Sequence, residues 1–268
     1  MLVVTLGDLL LDVIVRLDEP LAAGADANAE TRTAPGGQAA NVASWVTALG
    51  GEARCISRRG GDAAGAWLSA DLEARGVELA GPVDGRTGVV LSLVGPDGER
   101  TMASDRGTAT LLAPGDLDLA WLACDCLHIS GYALLASPID GAASRAAELA
   151  RKQGAQVSVD LSAWTRIRAH SAARFRDQVA ALAPDVVFGN ADEWDEVGAL
   201  ETCRVVKRGA AGFDVVRGGA VERCQARDVS VVDTTGAGDA LAAGFLIGGT
   251  ELAAEAAARC VAQVGAMP

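Results

Sequence analysis

Aromatic residues make up only 4% of this 268-residue chain, so its core must be built chiefly from aliphatic side chains. Basic residues are also in deficit, 23 against 35 acidic ones, giving a formal net charge of −12. That balance disfavours a protein held to nucleic acid or an anionic membrane by a broad basic face. A small anion needs only a local positive field and is not excluded. The six cysteines never form a C-x-x-C pair, and His128 and His170 lack a nearby cluster of ligands. A structural zinc site is therefore disfavoured, and reduced thiols in a cytoplasmic protein are expected. No run of about 18 uncharged apolar residues occurs, so no membrane span is expected. Met1 to Val15 carries Asp8 and Asp12 without a basic leader, and reads as a first strand and turn rather than a signal peptide. Walker-A, H-E-x-x-H and G-x-S-x-G elements are all missing, which removes P-loop, zincin and nucleophile-elbow chemistry.

Half of the residues are hydrophobic, enough for a sizeable core. Short apolar runs alternate with Ala-rich stretches of helical character. Strands are predicted at Leu2–Leu6, Ala53–Ser57, Cys126–Ile129, Gln156–Val159, Val186–Phe188, Arg204–Val206 and Val229–Val232. Helices are predicted at Gln38–Leu49, Ala63–Arg75, Ile139–Gln153, Ser171–Leu182, Ala237–Leu246 and Glu251–Val264. This alternation implies an α/β fold with a mainly parallel central sheet and helices on both faces. Two segments break the rhythm: Asp12–Leu17 with Glu30–Thr33, and Thr87–Val94 with Arg100–Ala103 around Pro96-Asp97-Gly98-Glu99. They read as antiparallel strands outside the core, either a small β-sheet lid or an edge hairpin. No linker or repeat divides the chain, so one domain over 1–268 is expected, with lid strands from about 12–34 and 87–103.

The densest chemical signal is Asp233-Thr-Thr-Gly-Ala-Gly-Asp239 between a predicted strand and helix. Gly236 and Gly238 let backbone approach a ligand, and the helix start offers unpaired N–H groups with a positive dipole end. Such a turn suits the charge on a phosphoryl group in transfer. Asp239 is placed to take a proton from an attacking hydroxyl. The same residues also fit a plain tight turn with an acidic helix start.

The string Asp233–Ala240 resembles the C-terminal signature of the ribokinase-like (PfkB) carbohydrate kinases. Gly36-Gly37-Gln38-Ala39-Ala40-Asn41-Val42-Ala43 resembles their glycine-pair signature, and Asn190-Ala191-Asp192-Glu193 their N-x-x-E element. Lys207-Arg208-Gly209-Ala210-Ala211-Gly212 resembles their nucleotide-side glycine turn. These matches run in family order from residue 7 to 240. The resemblance implies a ribokinase-like three-layer fold and an ATP-dependent phosphotransferase acting on a hydroxyl, expected to be primary, of a small sugar or sugar acid.

Roles follow by the same resemblance. Asp239 would be the general base, with Gly236, Ala237 and Gly238 forming the anion hole. Asp12, Gly37 and Asn41 would hold the substrate, and Lys207, Gly209 and Gly212 the nucleotide. Asn190 and Glu193 would organise magnesium through water, while Asp233 and Thr235 match positions that bind a monovalent cation, potassium, in some relatives. Asp8 follows the first strand where relatives place a substrate-contacting acid, equally readable as a turn residue. Arg106 is a candidate for neutralising phosphate charge or a surface salt bridge. Leu10 and Gln38 stand where ribokinases themselves carry Asn and Lys, which separates this chain from them. The stretch from Trp194 to Cys203 is short where relatives fit a helix, and so is the tail after Asp239, with Gly265-Ala266 as its remnant. The alternatives are a nucleoside kinase of the same superfamily, with Leu9–Leu11 lining a base pocket, and a non-catalytic ligand-binding relative. Expected partners are ATP and a sugar or nucleoside, with no nucleic acid or membrane. A homodimer through the lid is a further expectation.

Overall fold

The computed structural model describes residues 1–97, 99–161 and 163–268. The chain opens with strand β1 (Leu2–Leu6), whose Val3, Val4 and Leu6 are fully buried. A strand that is apolar on both faces must lie inside a sheet covered on both sides. β2 (Leu10–Leu17) and β3 (Ala29–Gly36) follow, then helix α1 (Gln38–Ala48), β4 (Glu52–Ile56), α2 (Ala63–Ala74) and β5 (Val77–Ala80). Asp62 caps α2 by accepting from the Gly65 N–H at 2.9 Å. β6 (Val89–Val94) and β7 (Arg100–Asp105) come next, and then β8 (Cys126–Ser130), α3 (Ile139–Lys152) and β9 (Gln156–Asp160). The remaining elements are α4 (Trp164–His170), α5 (Ala172–Ala181), β10 (Val186–Asn190), α6 (Ala191–Val197), β11 (Cys203–Lys207), β12 (Phe213–Arg217), β13 (Ala220–Cys224) and α7 (Ala237–Val261).

Among the described residues these strands form two sheets. The larger has nine strands in the order β13-β12-β11-β10-β9-β8-β1-β4-β5, all running the same way except β12, which pairs antiparallel with both β11 and β13. Ile139, Ala142, Ala143, Ala146 and Ala150 of α3 repeat at helical spacing and pack on one face with α4, α5 and α6. On the other face α1, α2 and α7 enclose a second core around Trp45, Leu68, Leu72 and Phe188. The smaller sheet has the order β3-β2-β6-β7. It contains both segments that broke the sequence rhythm. β6 and β7 pair antiparallel, with Glu99 N–H donating to Asp97 Oδ1 across the turn. Gly98 of the predicted Pro96–Glu99 turn lies outside the described residues.

One expectation needs correction. Val229–Val232 is not a strand: the sheet ends at β13, and the chain leaves it before reaching this segment. Val231 and Val232 stay about 60% exposed, and the Val232 N–H bonds instead to Val261 O at 2.7 Å. The two helices predicted after Gly236 are both present: α7 is kinked between them at Gly249, whose φ of 71° and ψ of −157° are not helical. α7 is long and apolar enough by composition to cross a membrane. Its buried residues, from Ala240 to Phe245 and from Ala253 to Cys260, belong to the core instead.

The C-terminal edge of the larger sheet gathers the polar residues. β1 is flanked by β4 and β8, so the chain order reverses there, and parallel sheets open a crevice at such a point. Asp8, Asp160, Asn190 and Lys207 all stand at or just beyond this edge.

Candidate active site

A cleft of about 930 Å³ lies between this edge and the smaller sheet. Its wall includes Asp12, Gly37, Asn41, Asn190, Glu193, Lys207, Thr235, Gly236, Gly238 and Asp239. Residues separated by more than 200 positions thus converge. Ala237 and Asp233 sit behind the wall. Gly209 and Gly212 do not line the cleft; they shape the β11–β12 turn, where the Arg208 N–H donates to Gly212 O at 2.8 Å.

α1 enters the site through Gly37, at φ 102°, where a Cβ would lie 2.3 Å from Asp8 O. Only glycine permits this turn beside β1. One helical turn later Asn41 Nδ2 donates to Asp239 Oδ2 at 2.7 Å. Asn41 Oδ1 is buried without any protein partner among the described residues. An orphan acceptor of this kind calls for a ligand donor.

The other wall is the α7 N-terminus. Gly236 caps it in the left-handed region, φ 77°, pressed against Ala266. The Ala237 N–H donates to Thr234 O at 3.3 Å and the Asp239 N–H to Gly236 O at 3.0 Å. Of the three N–H groups expected to form an anion hole, that of Ala237 is thus taken, while those of Gly236 and Gly238 have no acceptor among the described residues. Ala266 joins the cleft wall because its carbonyl accepts from Trp45 Nε1 at 2.8 Å.

A chain of charges runs along the floor. Lys207 Nζ donates to both oxygens of Asp160, at 2.7 and 2.6 Å, and lies 3.0 Å from where a Gly238 Cβ would be. Burial opposes the Lys207 charge, but Asp160, Glu193 and Asp239 outweigh it, and its pKa is raised. Burial and the neighbouring Asp160 push Asp239 up to about 7, against the lowering pull of Lys207 and Asn41. Glu193 rises to about 7, chiefly by burial. Asp12 rises to about 6 for the same reason. Carboxylates with raised pKa values in a cleft are a common feature of sites of proton transfer and of buried charge networks alike.

Sequence reasoning missed Asp160. Its only signal was an acid ending a buried strand, and its pairing with Lys207 across β10 is invisible to local motifs. It also missed Arg166, a cleft-lining residue on α4. Arg106 faces the cleft but is held by Asp8, bidentately, at 2.6 and 2.7 Å. Asn190 and Glu193 form a reciprocal cap at the start of α6, with the Glu193 N–H donating to Asn190 Oδ1 at 2.9 Å and the Asn190 N–H to Glu193 Oε2 at 2.8 Å.

Residues 1–267 match the family model of the pfkB family carbohydrate kinases. The chain is 32% identical over 259 residues to the ATP-dependent ribose-1-phosphate kinase of Halopiger xanaduensis, covering 91% of this chain and 83% of that one. It is 32% identical over 235 residues to the fructokinase of Klebsiella pneumoniae, covering 80% and 76%. Among solved structures, the adenosine kinase from Sinorhizobium meliloti superposes with a TM-score of 0.88 at 27% identity, covering 99% of this chain and 95% of that one. This chain belongs to the pfkB family of carbohydrate kinases, and its fold is ribokinase-like.

Proposed function

We propose that the protein moves the γ-phosphate of ATP to a primary hydroxyl of a small sugar or sugar acid, with Asp239 as general base. The observation that carries this reading is the Asn41–Asp239 pair lining one cleft with Gly236 and Gly238, whose N–H groups have no acceptor among the described residues. Asn41 Oδ1 and Asp12 hold the acceptor's hydroxyls, and Gly37 lets backbone lie against its ring. The acceptor oxygen attacks the γ-phosphorus as its proton passes to Asp239. The bond from the γ-phosphorus to the β-phosphate oxygen breaks, and ADP leaves. The N–H groups of Gly236 and Gly238, with Lys207 beneath them, stabilise the charge on the transferring group.

Magnesium fits this site only through water, because no three His, Cys or carboxylate groups converge among the described residues. Glu193 and Asn190 would hold its hydration shell, and the ion would neutralise phosphate charge. The four-stranded sheet acts as a lid that excludes water from the transfer.

A nucleoside acceptor is the second reading. Leu10 and Val90 form a buried apolar patch with Ala109, and both line the cleft where a base would stack. The names of the relatives support the sugar and nucleoside classes alike. A coupled ADP-release screen over sugars, sugar acids, sugar phosphates and nucleosides separates them. Turnover with a sugar is expected. Turnover with nucleosides alone would move the assignment, and sugar binding without ATP–magnesium binding would mean a non-catalytic relative.

A further inference from the structure

The smaller sheet is tied to the turn before α7 by arginine side chains. Arg100 lies on β7, an outer strand of the smaller sheet. Its side chain crosses to the turn before α7, where Nη2 donates to Asp233 Oδ1 at 3.2 Å and Nη1 donates to Thr235 Oγ1. Asp233 is the hub of that turn. Its carboxylate also accepts from the Thr235 N–H at 2.9 Å, the Thr235 hydroxyl at 2.6 Å and the Gly265 N–H at 3.1 Å. Thr235 immediately precedes Gly236, so whatever fixes Thr235 fixes the free Gly236 N–H. The opposite outer strand sends a second arginine to the same place: Arg32 Nη2 donates to Val264 O at 3.4 Å.

Asp233 and Thr235 are the two positions assigned by resemblance to a monovalent cation. Asp233 Oδ1 and Thr235 Oγ1 are already committed to a guanidinium, and the Asp233 side chain is only 13% exposed. The Asp233 charge is met by the Thr235 N–H and hydroxyl, the Gly265 N–H and the fixed Arg100 guanidinium, which places a cation there without a bound metal. The donor set therefore does not fit potassium while Arg100 is in place.

We propose that Arg100 is a positioning residue: its guanidinium is the built-in monovalent cation of the Asp233–Thr235 turn and ties the lid to the phosphoryl cradle. The inference rests on the kinase reading of this cleft. It makes turnover independent of potassium and makes the cradle complete only when the four-stranded sheet is seated.

The test compares wild type, Arg100→Ala and Arg100→Lys in potassium, guanidinium and tetramethylammonium chlorides at equal ionic strength. ADP release is measured with the best acceptor from the screen, and ATP–magnesium affinity by calorimetry. Arg100 is about one-third exposed on an edge strand, with side-chain exposure of 34%, so the variants are expected to fold; melting curves check this. Wild type should show equal turnover in potassium and tetramethylammonium. Arg100→Ala should lose about 10- to 100-fold in kcat/KM, the scale of lost charge-assisted bonds. Potassium or guanidinium, but not tetramethylammonium, should restore about tenfold of that loss. Potassium activation of the wild type, an unimpaired Arg100→Ala, or a loss that neither small cation repairs would each overturn the proposal. If no acceptor supports turnover, the kinase reading fails, and ATP affinity across the same salts still decides the role of Arg100.

Discussion

Asp239 holds its proton more tightly in the folded protein than an ordinary aspartate, up to about 7 against 3.8, because burial and Asp160 disfavour its charge. A general base must be ionised, so kcat/KM should climb with pH through a midpoint near 7 and level off above it. Asp160→Asn removes a cause of the upward shift and should move this limb to lower pH. The same change strips Lys207 of its partner, and stability should fall by about 3–5 kcal/mol in denaturant titrations. Linkage fixes a second sign. A raised carboxyl pKa gives stability that is present at low pH and lost as pH rises through about 7. The stability of Asp239→Asn relative to wild type should therefore increase between pH 5 and pH 8. A difference that stays flat, read from thermal unfolding, would contradict the shift. Much of this site was legible because Asp239, Asn41 and Gly37 sit in short signatures whose spacing is local. Asp160 and Arg166 were not, since their relevance arises from strand order and from the placement of α4.

At the scale of elements, the cradle depends on a backbone conformation rather than on a side chain. Gly236→Ala forces a Cβ into the left-handed region and within 2.6 Å of the Ala266 backbone and side chain. About 10²- to 10³-fold should be lost from kcat, the cost of losing an anion-hole donor, with a smaller change in acceptor KM. Steady-state kinetics with ATP and acceptor varied in turn would show this split. The helices and parallel strands were readable because burial on one or both faces leaves a period in the sequence. β5, β12 and β13 escaped because they lie at or next to the sheet edges, where pairing partners rather than pattern decide the structure. Val229–Val232 failed for the converse reason: its residues suit a strand, but the chain has already left the sheet, and Val232 turns its N–H to the end of α7.

Across the whole molecule, the cleft is assembled from distant parts of the chain. Trp45 on α1 holds Ala266 through its indole N–H, and Ala266 in turn abuts Gly236. Trp45→Phe keeps an aromatic ring but removes the donor, which should cost about 1–3 kcal/mol of stability and raise the KM for ATP. Calorimetric melting and ATP titration read both effects. Local motifs announced the Gly265-Ala266 remnant, but not its role as a wall of the cleft, which needs the fold. Domain-scale features such as the four-stranded sheet were visible only as interruptions of an α/β rhythm.

The most direct test is acceptor-dependent ADP release by Asp239→Asn beside wild type, at pH 8 and saturating ATP–magnesium. The variant should fold, bind ATP normally and lose about 10²- to 10⁴-fold in kcat, the scale of general-base catalysis. Near-normal turnover by a folded Asp239→Asn enzyme would contradict the assignment of the base, and with it the account of this cleft.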